Sequence, residues 1–142
     1  MSKYKIKILI IDDEPVMNEI VEARLLDSFP DKEIEILKAT TYDDAIKALS
    51  EQRPQVALVD LNLGHKDYGD NLLREVRNLS QGTLPIVITG DYGFLSTQTC
   101  YNLGAFAIIR KPFDSDQFER VMREAFSNRE RWLNLLTDRK FS

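Results

Sequence analysis

Four short apolar runs recur along the chain, at residues 8–11, 56–59, 86–88 and 107–109, with long amphipathic stretches between them. Runs that are apolar throughout belong to strands covered on both faces, and such strands are parallel and joined by crossover helices. That restricts the chain to an α/β sheet with helices on either side. Each run also leads into a reactive group. Ile11 is followed by Asp12 and Asp13, Val59 by Asp60, Ile88 by Thr89, and Arg110 by Lys111 and Pro112. In an open α/β sheet the ligand crevice lies beyond the carboxyl ends of the strands. Three acids, a hydroxyl and an amine are therefore expected to meet there.

The stretches between the runs read as helices. Pro15 suits a first helical turn, and Met17, Ile20, Val21, Leu25 and Phe29 supply an apolar stripe that ends near Pro30. Residues 33–38 alternate charged and apolar side chains, as a half-exposed edge strand does. A second helix over residues 43–51 points Ala45, Ile46 and Leu49 inward. A polar loop with Gly64 and Gly69 precedes a third helix carrying Leu72, Leu73, Val76 and Leu79 on one side. Gly82 and Pro85 punctuate the approach to the fourth strand, and residues 92–103 form a weak helix that Gly104 can cap. A last helix from near Asp114 buries Phe118, Val121, Met122, Ala125 and Phe126, and its periodicity continues through Trp132, Leu133, Leu135 and Leu136. Five βα units with a polar second strand predict the doubly wound sheet order 2-1-3-4-5. That order makes the first and third strands neighbours and so gathers Asp12, Asp13 and Asp60.

With 142 residues, 43% of them hydrophobic, the chain is the size of one domain with one core. A net charge of −4 and the lack of a long basic block argue against a nucleic-acid surface. No run is long enough to span a membrane, and the single cysteine, Cys100, suits a reducing compartment, so a cytoplasmic location is expected.

Three neighbouring carboxylates repel one another, and a hard cation relieves the repulsion. Mg²⁺ takes oxygen ligands and commonly combines one or two carboxylates with a phosphate. Each residue alone has a plainer reading: the acidic triplet Asp12-Asp13-Glu14 as a helix start, Asp60 as a loop acid, Thr89 as a β-former and Lys111 as an exposed lysine before a turn. All of them at one sheet edge favour a site. His65 reads as a solvated loop residue and Cys100 as a packed core thiol. The glycine-rich phosphate loop, the dinucleotide fingerprint and the nucleophile elbow are all missing from the sequence.

The acidic pair, the central Asp60, Thr89-Gly90 and Lys111-Pro112-Phe113 together resemble the receiver domains of bacterial two-component response regulators, the CheY-like family, over residues 5–128. The resemblance implies a flavodoxin-like (βα)5 three-layer sandwich with a receiver over residues 1–128; the helical extension over 129–142 exceeds a plain receiver, and its continuing apolar positions either meet another chain or pack back on the domain. It implies that Asp60 accepts a phosphoryl group from a sensor histidine kinase or a phosphotransfer protein. Asp13 and Asp60 would ligate Mg²⁺ with the backbone carbonyl of Asn62, and Asp12 would act through bound water. Thr89 and Lys111 would hold the phosphoryl oxygens, and the Lys111-Pro112 bond would be cis. Asn62 and Asp91, small and polar, imply a short-lived phosphorylated state. The output would pass through the fourth and fifth units and the C-terminal helix to an effector or a second copy.

Ile108 stands where the family often has an aromatic residue, with Phe106 the nearest substitute, and Gly64 replaces a frequent proline. A pseudo-receiver that only binds, and a phosphohydrolase working through an aspartyl phosphate, are the alternative functions. The intact acids argue against the first. Asn62, where such hydrolases carry a second acid, argues against the other.

Overall fold

The computed structural model describes residues 5–61, 63, 66–90 and 97–139, with residues 66–70 and 129–139 described by their backbone alone. Strands and helices alternate: β1 (Ile6–Ile11), α1 (Pro15–Ser28), β2 (Ile34–Ala39), α2 (Tyr42–Gln52), β3 (Val56–Val59), α3 (Lys66–Leu79), β4 (Leu84–Thr89), α4 (Thr97–Asn102), β5 (Ala107–Arg110) and α5 (Ser115–Arg139). All strand pairs are parallel, in the order β2-β1-β3-β4-β5, which is the doubly wound order expected from the sequence.

The two-residue period of a strand divides the core between the two faces of the sheet. Ile8, Ile10, Val56, Leu58, Ile86 and Ile88 pack with Val21 and Leu25 of α1 and Phe118 and Met122 of α5. Leu9, Ile11, Ala57 and Val59 face the other way, against Ala45 and Leu49 of α2 and Leu72 and Val76 of α3. Val87 joins Leu73, Cys100 and Ala105 in a smaller cluster beside α4, where Cys100 is buried as expected. β2 forms one edge of the sheet and is only partly buried, matching its alternating sequence. The Thr41 hydroxyl caps α2 by accepting from the Asp44 N–H at 3.1 Å. At the far end of α1, Phe29 meets Phe126 of α5 edge to face, with ring centroids 4.9 Å apart.

Two expectations need correction. Ile20, assigned to the buried stripe of α1, is 43% exposed, and Asn18 is buried in its stead. Positions 18, 21 and 25 share one side of a 3.6-residue helix, and Val16 and Ile20 fall on the opposite side. Docking by Val21 and Leu25, with Asn18 bonded back to Asp12, therefore turns Ile20 outward. The polar stretch around Gly69 was expected to be loop, yet α3 already begins at Lys66. The side chains of Trp132, Leu133, Leu135 and Leu136 lie outside the described residues, but the backbone of α5 runs unbroken from Ser115 to Arg139.

Candidate functional site

Register fixes where the reactive groups fall. Ile11 lies opposite Val59, so the residues that follow, Asp12 and Asp60, leave the sheet side by side. The Asp60 N–H donates to the Ile11 carbonyl at 2.9 Å, and the Asp12 N–H to the Ala39 carbonyl at 3.1 Å, extending both ladders by one residue. On the other side, Thr89 ends β4 opposite Arg110, and the Lys111 N–H donates to the Thr89 carbonyl at 3.0 Å. The Lys111-Pro112 bond is cis, as the family resemblance implied. Phe113 stacks on Phe118 at 5.2 Å, which ties the turn after Lys111 into the core.

These turns bring the expected residues together. The Lys111 Nζ donates to Asp12 Oδ2 at 2.7 Å and to Asp60 Oδ2 at 3.2 Å. Asp12, Asp60 and Thr89 are buried, whereas Asp13 is exposed at the rim. Burial is the largest single influence on the Lys111 ammonium and acts to lower its pKa. The hydrogen bonds to Asp12 and Asp60 and the charges of both acids together outweigh it, so the pKa is raised above the ordinary lysine value.

One carboxylate oxygen from each of Asp12, Asp13 and Asp60 lies within 4.8 Å of the others. Octahedral Mg²⁺ binds oxygen at about 2.1 Å, which spaces its ligands about 3 Å apart when adjacent and about 4 Å when opposite. The three acids therefore match one small, hard cation with only slight adjustment. Asn62, expected to add a carbonyl ligand, lies outside the described residues, as do Asp91 and His65.

Sequence reasoning missed Asn18, which is 1% exposed and donates from Nδ2 to the Asp12 carbonyl at 3.2 Å. Its signal was present, because it shares the i, i+3, i+7 spacing with Val21 and Leu25.

The family model for the response regulator receiver domain matches residues 8–123, most of the chain and all four strand-end groups. The chain belongs to that family. Response regulator Rre1 from Synechocystis is 28% identical over 127 residues, covering 88% of this chain and 53% of that protein. Among solved structures, a CheY-like receiver domain protein from Methanospirillum hungatei superposes with a TM-score of 0.74 at 26% identity, covering 90% of this receiver and 99% of that chain. The receiver domain of the sensor histidine kinase PA1611 from Pseudomonas aeruginosa, which carries a magnesium ion in its active-site cleft, shares the fold. Its TM-score is 0.72 at 21% identity, covering 87% of this chain and 99% of that one. The receiver spans about a quarter to a half of the length of the curated relatives it matches. No helix among its described residues is long and apolar enough to cross a membrane.

Proposed function

We propose that this receiver is a phosphorylation switch in which Asp60 is the phosphoacceptor. The observation that carries the reading is the Lys111 ammonium bridging Asp12 and Asp60 at the mouth of the sheet. That cation sits where a phosphoryl group on Asp60 would place its negative oxygens.

In the transfer, an Asp60 carboxylate oxygen attacks phosphorus, the N–P bond of a donor phosphohistidine breaks, and the imidazole leaves with the electron pair. Asp12, Asp13, Asp60 and the Asn62 carbonyl would hold Mg²⁺, which when bound neutralises charge on the carboxylates and the phosphoryl oxygens. A magnesium ion in the cleft of the PA1611 receiver supports the metal assignment. The Thr89 hydroxyl donates to one phosphoryl oxygen and Lys111 pairs with another. The receiver acts on no external substrate; its chemistry is its own phosphorylation and the loss of that group by hydrolysis, and the residue types at positions 62 and 91, Asn and Asp, favour a short lifetime.

A sensor histidine kinase or phosphotransfer protein is the donor. The exposed Val16 and Ile20, on α1 just beyond the acidic turn, give it an apolar docking patch. Residues 1–128 form the switch and 129–142 the extension, whose apolar positions pair with a second copy or an effector. A full chain that sediments as the same species as one ending at Asn128, with and without phosphorylation, would contradict that role.

To test the switch, incubate the chain with a small acyl phosphate with and without Mg²⁺ and measure intact mass. One phosphate-sized gain, dependent on Mg²⁺ and absent in Asp60→Asn, is expected. A gain that survives Asp60→Asn refutes the assignment.

A further inference from the structure

Asn18 occupies a position that the packing of α1 reserves for an apolar side chain. It falls with Val21 and Leu25 on the face turned to the sheet and is 1% exposed. A leucine would add buried apolar area there, whereas a buried amide has to have its hydrogen bonds met. Only the donor half is met: Nδ2 reaches the Asp12 carbonyl, and the buried Oδ1 has no hydrogen-bond partner among the described residues. A polar residue that weakens the core and stays half satisfied points to a task outside the core.

The bond it makes is aimed at the turn that carries two of the clustered acids. The Asp12 carbonyl belongs to the same peptide unit as the Asp13 N–H, so holding that oxygen fixes the peptide plane from which the Asp13 side chain departs. Asp12 is anchored independently, by its N–H to Ala39 and by its Oδ1, which accepts from the Glu14 N–H at 3.0 Å. Asp13 is exposed, so packing does little to aim its carboxylate.

We propose that Asn18 is a positioning residue for the divalent cation, setting the Asp12-Asp13 peptide with its amide donor. The inference rests on the cation-dependent switch proposed above. Groups that orient metal ligands from behind typically change metal affinity 10- to 100-fold when removed, by rough convention.

The test is a calorimetric titration of Mg²⁺ alone into the full chain, for the parent, Asn18→Leu and Asn18→Ala, with thermal midpoints measured without cation. Asn18→Leu is expected to keep or raise its midpoint while binding Mg²⁺ about tenfold more weakly. Asn18→Ala, which also opens a cavity, is expected to melt lower and lose the same affinity. It carries the comparison, below its own midpoint, if the leucine variant does not fold. Folded variants that bind within about twofold of the parent overturn the role of Asn18 and leave the switch standing. A parent chain that binds no Mg²⁺ overturns both.

Discussion

At the amino end of the sheet, before β3 and β4, the Thr83 hydroxyl donates to the Pro54 carbonyl and is bonded to the Ser80 hydroxyl, all of it buried. The Lys7 N–H donates to Gln55 Oε1 at 2.6 Å, and the Gln55 N–H returns to the Lys7 carbonyl at 2.9 Å. At the carboxyl end of the sheet, two buried acids share one lysine, a third acid stands at the rim, and the buried Asn18 Oδ1 has no partner among the described residues. The amino end uses its buried polar groups to close the fold, and the carboxyl end gathers charge around the proposed phosphoacceptor. Substitutions at the first end should therefore cost stability, and those at the second should cost chemistry.

Thr83→Val offers the sharpest stability test. It removes a buried hydroxyl and leaves the Pro54 carbonyl and the Ser80 hydroxyl short of a partner, at a cost of about 1–3 kcal/mol. Thermal or urea unfolding should show the loss while Mg²⁺-dependent phosphorylation in the remaining folded protein is unchanged. A fully stable Thr83→Val would erase the distinction between the ends.

Gly104→Ala comes next, between the extremes. Gly104 has φ 108°, a conformation costly for any residue with a Cβ, and the new carbon would sit 2.9 Å from Arg77 Nη2, a flexible tip that can move aside. The backbone term dominates, so the loss should be about 1 kcal/mol, read as a drop of a few degrees in the midpoint. An unchanged midpoint would mean that the turn after α4 relaxes freely.

The smallest stability effect belongs to the carboxyl end. Lys111→Ala frees a half-buried ammonium from its desolvation but leaves the buried Asp12 and Asp60 without their cation; with Mg²⁺ present to take over that charge, its midpoint should shift by no more than about 1 kcal/mol would cause, while any conformational response to phosphorylation disappears. The pH dependence follows from the raised pKa. Stability from Lys111 is fully present below the ordinary lysine value of 10.5 and is lost only as pH climbs through the higher folded value. Urea melts of the parent between about pH 7 and about pH 9 should show no change that Lys111→Ala removes. A slope that the substitution abolishes would place the ammonium's titration far lower than its partners dictate.

The sheet order and the meeting of Asp12, Asp60, Thr89 and Lys111 were legible because continuous apolar runs define buried parallel strands, and strand ends define the crevice. The rotation of α1 was not. Met17, Ile20 and Val21 supply a second stripe overlapping that of positions 18, 21 and 25, and the burial of Val21 and Leu25 with the bond from Asn18 to the Asp12 carbonyl decides between them. The start of α3 was missed for another reason. A glycine inside a helix costs roughly 1 kcal/mol, so the stretch around Gly69 reads as loop, and tertiary context overrides that preference. Asn18 carried a sign of burial in its spacing with Val21 and Leu25, but its polar side chain kept it out of the apolar stripe.

The central claim is that Asp60, not its acidic neighbours, carries the phosphoryl group. An acyl phosphate is an activated carboxyl, so borohydride reduces a phosphorylated aspartate to homoserine and spares free carboxylates. Phosphorylate the full chain with a small acyl phosphate and Mg²⁺, reduce it, and map the peptides by mass. The account predicts homoserine at position 60 alone; homoserine at position 12 or 13 in its place, or an unmodified chain, would contradict it.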